Sequence, residues 1–386
     1  MASGRQDELA TFLERSKRDF MQDLNAGHPL VNWTTARSDL ALRPENEFAL
    51  SNAQIDAEKH LLCLDDLPNG TLPQLGAVRL ALVDHNAMLS SVFGPDDTRV
   101  TAVIDHHADE GRHMHASPRL IQIPTGSCTS LVATYFLPLL PATAHMSSSL
   151  ADLLLSAILI DTNLKPSTAG GKATDTDLRA VRLLSPFSSF VDGAEGSAAA
   201  VGGDVTATLL QVGRLLQAKK SDVAWMSGRD LLRRDYKEYQ HDAQSLKYGL
   251  ATVPVSFRSW IDKDDKRYGW EGVERDCRAW MEERHLDFLG VLTSFEEVAP
   301  AGKNKGARAR ELYLHVGGND STSERLRNIL YPGLEADADL RLGPWFGGDL
   351  SGEPGFDKRW RLWQQVNAKA TRKQVAPAIK HLLDTA

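Results

Sequence analysis

Residues 78–107, VRLALVDHNAMLSSVFGPDDTRVTAVIDHH, decide the reading of this chain. Two short, mostly apolar runs, 78–84 and 99–105, each end on an aspartate, Asp84 and Asp105. Runs of this length and composition are expected as buried strands rather than helices. Similar runs stand at 59–64 and 119–123. Together they predict a parallel sheet whose C-terminal strand ends present polar groups to one crevice.

Working outward, helical spacing of apolar residues covers 8–24, and further helices are expected at 127–140, 147–160 and 204–218. Strands alternating with helices make an α/β domain over residues 1–215. The charged segment 216–235 is the expected linker. Beyond it, over 236–386, the pattern changes to strands at 248–257, 286–294 and 310–316 with helices at 271–284, 322–330 and 371–384. That is a smaller α+β domain. The stretch 300–310 is a polar, basic loop.

The chain has 386 residues, enough for two domains, with 42% hydrophobic and 25% charged residues. A net charge of −7 argues against a protein that coats nucleic acid. Three cysteines, Cys63, Cys128 and Cys277, do not make a disulfide framework and point to a reducing compartment. No apolar stretch suits a signal peptide or a membrane span, so a cytoplasmic location is expected.

The chemistry concentrates in three acidic motifs. Asp84 opens Asp84-His85-Asn86. Asp105-His106-His107 follows Val103-Ile104, and Asp161-Thr162-Asn163 follows Ala157–Ile160. Carboxylate and imidazole are the ligands expected for Mn²⁺ or Mg²⁺. Taken singly, each motif has a plainer reading: an aspartate capping a turn or helix, and a solvated histidine pair. The ordered set points instead to a divalent-metal site for attack of an activated water on phosphorus.

These motifs resemble those of the DHH phosphoesterases. Val83-Asp84-His85-Asn86 resembles the second motif of that superfamily, Asp105-His106-His107 its signature third, and Asp161-Thr162-Asn163 its fourth. Gly126-Ser127-Cys128-Thr129 is similar to a family segment opening a helix, with amides suited to an anion. Asp235-Tyr236-Lys237 and Thr371-Arg372-Lys373-Gln374 resemble parts of the DHH-associated C-terminal domain of exopolyphosphatases and family II pyrophosphatases. The resemblance implies two divalent cations, Mn²⁺ or Mg²⁺. Asp84 would bridge them, and His106 and Asp161 would complete one site. It implies catalytic roles for His107, which would contact substrate phosphate, and for Asp105, which would orient the histidines. Lys237, Arg372 and Lys373 would bind substrate across an interdomain cleft. His85 and Asn86 are expected as structural supports.

The implied function is release of terminal phosphate from inorganic polyphosphate by a metal-activated water. The enzymatic alternatives are a prune-like phosphodiesterase or short-chain polyphosphatase, and an inorganic pyrophosphatase. The chain also departs from the family. No apolar strand followed by Asp-x-Asp, the first motif, precedes Asp84. Asp65-Asp66 is a poor substitute, and a strand–helix unit is missing near Asn25–His28. A third alternative is therefore a catalytically impaired product that binds polyphosphate or a protein. The expected partner is inorganic polyphosphate, with no nucleic acid and no membrane, and a monomer is favoured. The six tryptophans at 260, 270, 280, 345, 360 and 363 are read as core and rim.

Overall fold

The computed structural model describes residues 8–22, 32–33, 35–67, 78–88, 90–141, 145–191, 203–262, 269–297, 306–318 and 320–385. The position near Asn25–His28, where a strand–helix unit was expected to be missing, lies outside them. The chain divides into two compact units, Met1–Asp222 and Val223–Ala386. The segment expected as a linker is largely helical: the helix Gly203–Ser221 runs into it and Gly228–Arg234 forms another. Ser227 caps the latter in a box with Asp230, which satisfies its first amides.

In the first unit, β1 (Asn32–Trp33) pairs in parallel with β2 (Leu62–Cys63). A separate parallel sheet has the order β3 (Leu80–Val83), β4 (Val100–Asp105), β5 (Arg119–Ile121). The run 59–64 was expected as one strand of this sheet. Its first two residues are instead the end of a short helix, Ala57–His60, capped by Asp56, and the strand is confined to Leu62–Cys63. The helices Cys128–Phe136, Ser148–Thr162, Asp175–Leu184 and Gly203–Ser221 pack together. Leu155, Ile158, Leu159, Leu184 and Leu216 lie in their shared core, each at most 1% exposed. Side chains at this depth contribute on the order of 2 kcal/mol each. Among the described residues β3 pairs only with β4, and Ala81 and Val83 on one face stay exposed.

The second unit carries a six-stranded sheet in the order β12 (Leu342–Pro344), β13 (Trp360–Gln365), β11 (Glu311–Val316), β8 (Phe288–Thr293), β7 (Leu246–Val253), β6 (Tyr236–His241). Two further strands, β9 (Phe295–Glu296) and β10 (Arg308–Ala309), make a small hairpin beside it. The pairs are antiparallel except β7 with β8. Both faces are covered, so β8 and β11 are buried throughout. Leu312, Leu314 and Val316 share a core with Leu326, Leu330, Val375 and Ile379 of the helices Ser321–Ala336 and Arg372–Asp384. The alternate residue Tyr313 meets Phe257 and Trp360, which stacks on Trp270. The six tryptophans read as core and rim are all buried. Among the described residues no helix is long and apolar enough to cross a membrane.

His315, on the Tyr313 side of β11, is 1% exposed. Its Nδ1 lies 3.0 Å from the Tyr313 hydroxyl. Burial lowers its pKa to about 4, against a partial pull upward from Glu274, while Arg359 and Arg278 add to the depression. Between pH 6.5 and about 4 the unfolded chain therefore binds a proton there that the folded one refuses. Stability falls by about 3 kcal/mol as pH drops through that window. Glu311, raised above its usual range by burial, contributes with the opposite sign. Urea unfolding at pH 7 and pH 5 should show the loss in the native chain and a shallower pH slope in His315→Gln.

Candidate metal centre

Asp84 and Asp105 stand where the strand reading placed them, at the ends of adjacent parallel strands. Asp84 has φ of 67°, the left-handed region that aspartate tolerates better than most residues. Its amide donates to the Ile104 carbonyl at 3.0 Å, so the chain turns at β3 while still joined to β4. The Asp84 side chain is 62% exposed. Its Oδ1 lies 3.2 Å from His106 Nε2 and 3.9 Å from His107 Nδ1.

Asp105 is fully buried and holds the histidine turn. Its Oδ1 accepts from the amides of His106 and His107 at 2.7 and 3.2 Å, and lies 2.8 Å from His107 Nδ1. Asn86 donates to the other carboxylate oxygen and to the Ala108 carbonyl, and accepts from the Glu110 amide. Burial pushes the Asp105 carboxyl up, but His107, Asn86 and the His106 amide outweigh it, and the group ends below its ordinary range. Asn86 thus braces a buried Asp105 carboxylate that does not face solvent.

His106 Nδ1 is 3.0 Å from the Thr125 carbonyl, which leaves Nε2 toward Asp84. A backbone carbonyl on one ring nitrogen is how proteins present the other as a ligand. Asp84 raises the His106 pKa, with burial opposing it. One ligand atom from each of Asp84, His106 and His107 lies within 4.8 Å of the others. A second such group is Asp84, Asp105 and Cys128. The Cys128 thiol donates to the Ile104 carbonyl at 3.2 Å, and burial pushes its pKa up to about 12.

Asp161 lies in the last turn of the helix Ser148–Thr162 rather than at a strand end. Ser127 donates its hydroxyl to Asp161 Oδ2 at 2.7 Å. The crowded wall around the carboxyl raises its pKa by desolvation, although the residue keeps a solvent-accessible side. Ser127, Lys220 and His106 pull the pKa down and Asp84 pushes it up, so Asp161 shares its electrostatic environment with the other two ligand candidates. The carboxylate and imidazole donors fit a divalent ion of the Mn²⁺ or Mg²⁺ kind.

Two sequence expectations change here. The amides of Gly126 and Ser127 were expected to suit an anion. They are occupied by the Asp177 carboxylate, at 2.9 and 3.0 Å. Arg372 was expected to bind substrate, but its guanidinium is engaged within the second unit. It donates to the Asp235 carbonyl and carboxylate at 3.0 and 2.9 Å, and toward the Leu250 carbonyl at 3.4 Å. Lys373 and Lys237 are exposed. Asp65 and Asp66 are held by Arg37: its amide donates to Asp65 at 2.8 Å and its Nε to Asp66 at 2.9 Å. That arrangement agrees with setting them aside as metal ligands.

Residues 214–382 match the DHHA2 domain. A Schizosaccharomyces pombe (strain 972) protein assigned as an exopolyphosphatase is 30% identical over 360 residues, 89% of this chain and 79% of that one. The exopolyphosphatase PRUNE1 of Rattus norvegicus is 25% identical over 92% of this chain and 67% of its own. An Archaeoglobus fulgidus protein assigned as a manganese-dependent inorganic pyrophosphatase is 27% identical over 68% of this chain and 75% of its own. With the fission-yeast relative matched along most of both chains and the DHHA2 domain in the C-terminal part, the chain belongs to the DHH phosphoesterase superfamily, as an exopolyphosphatase-like member.

Proposed function

We propose that this protein is a metal-dependent phosphoanhydride hydrolase that removes terminal phosphate from inorganic polyphosphate. The observation that supports this most is the convergence of Asp84, His106 and His107, whose donor atoms lie within 4.8 Å of one another, with Asp161 in the same electrostatic neighbourhood. Asp84, His106 and Asp161 are the residues that would hold divalent metal. Such ions supply Lewis acidity toward a phosphoryl oxygen and toward the attacking water.

The chain's own groups do the rest. Asp105 fixes His107 through Nδ1, so the ring presents Nε2 as its free nitrogen. With both ring nitrogens protonated, Nε2 can donate a hydrogen bond to a phosphate oxygen. Asp105 and Asn86 keep that ring from rotating, which maintains the geometry before substrate arrives. Lys237 and Lys373 are proposed as point charges on the polyanion. Arg372 is proposed to act less directly, by holding Asp235 and the start of the helix Arg372–Asp384.

The rival reading is an inorganic pyrophosphatase, favoured by the Archaeoglobus relative. Long-chain polyphosphate, pyrophosphate and a cyclic nucleotide should be compared as substrates with Mn²⁺. The highest kcat/KM is expected for polyphosphate, and a higher value for either of the others overturns that choice. Lys373→Ala should raise KM for polyphosphate severalfold with the melting temperature unchanged. Arg372→Ala should also lower the melting temperature, because it removes hydrogen bonds inside the unit.

A further inference from the structure

Asp177 is fully buried, and its carboxylate accepts five hydrogen bonds. Two come from the Gly126 and Ser127 amides. The Ser130 hydroxyl donates at 2.7 Å, and the Thr174 amide and hydroxyl each at 2.7 Å. One charge therefore serves two helix starts. It closes the capping box of Asp175–Leu184 with Thr174, and it fills the N-terminus of Cys128–Phe136. Burial pushes this carboxyl up, but the donors outweigh it and it stays below its ordinary range.

The turn that Asp177 grips touches the helix bearing Asp161. A Cβ on Gly126 would stand 2.5 Å from Thr162 Cγ2, 2.7 Å from the Lys172 carbonyl oxygen and 2.8 Å from Asp177 Oδ2. Only glycine fits there. Ser127 is 1% exposed. Its amide is bound by Asp177 and its hydroxyl by Asp161, so neither can turn away without leaving a buried polar group unpaired.

We propose that Asp177 and Ser127 are positioning residues for the candidate metal centre. Asp177 sets the Gly126–Ser127 turn, and the Ser127 hydroxyl sets the rotamer of the Asp161 carboxylate. This rests on the reading of Asp161 as a ligand. Outer groups that orient a ligating carboxylate typically change metal affinity by about 10- to 100-fold when removed. The side chains concerned are 50 and 34 residues apart from their partners, so the device is a tertiary one.

The test is a Mn²⁺ titration of the full chain without substrate, following free Mn²⁺ by electron paramagnetic resonance, with a thermal melt of each variant. Ser127→Ala should weaken Mn²⁺ binding about tenfold while melting like the native chain. Ser127→Thr, which restores a hydroxyl, should bind as the native chain does. Asp177→Asn should weaken binding at least as much as Ser127→Ala and also melt lower. Asp84→Asn separates the two readings. If it loses Mn²⁺ while Ser127→Ala binds as the native chain does, the positioning roles are wrong and the metal centre stands. If Asp84→Asn keeps native binding, or the native chain binds no Mn²⁺, the metal centre fails and the positioning roles with it.

Discussion

Inserting a strand–helix segment that carries Asp-x-Asp between Gln22 and Asn32 should raise Mn²⁺ affinity and polyphosphate turnover by about 10²-fold or more. The reason is ligand count. Asp84 is exposed, and with His106 and Asp161 it would offer only two carboxylates to divalent metal. Two added carboxylates would supply further charge and further ligands. The sheet has a place for such a unit in physical terms. Among the described residues β3 pairs with β4 alone, and Val83 is 47% exposed. A strand with one unpaired edge and exposed apolar side chains is unfavourable. The melting temperature should rise with the activity, and equal rates with and without the segment would show that the missing motif costs this chain nothing.

Asp84→Ala should lower kcat/KM for polyphosphate by about 10³-fold, on the order of 4 kcal/mol of transition-state stabilisation. Alanine also fits poorly at φ of 67°, so part of any loss could be structural. Asp84→Asn resolves this, because asparagine tolerates the left-handed region and keeps the shape while removing the charge. It should melt as the native chain does and still lose most activity. His107→Ala should behave differently: kcat falls while Mn²⁺ affinity is largely kept, since its Nδ1 is spent on Asp105. Full activity in Asp84→Asn would place the centre elsewhere.

The parts of the site legible in sequence were those carried by local pattern. A short apolar run ending in aspartate gave β3 with Asp84 and β4 with Asp105, and the adjacent histidines followed. What sequence could not show was which groups those residues would meet. Thr125 holds His106 through a backbone carbonyl, which leaves no trace in residue type. Asp177 reads in sequence as an ordinary capping residue for its own helix, and its grip on a turn fifty residues earlier is invisible. That is why the Gly126 and Ser127 amides looked free for an anion. Arg372 was expected on substrate for the same reason, because its partners Asp235, at the end of the helix Gly228–Arg234, and Leu250, on β7, are more than a hundred residues away in sequence. In the fold, β13 was missed since Trp360-Arg361-Leu362-Trp363 lies inside a sheet covered on both faces, where alternation weakens.

The most direct measurement is orthophosphate release from long-chain polyphosphate by the intact chain across a Mn²⁺ titration. The expected rate is slow, rises to saturation with Mn²⁺, stops on chelation and returns when Mn²⁺ is restored. A rate independent of the metal, or no release at any Mn²⁺ concentration even with the Asp-x-Asp segment inserted, would contradict the assignment of Asp84, His106 and Asp161 to a hydrolytic metal centre.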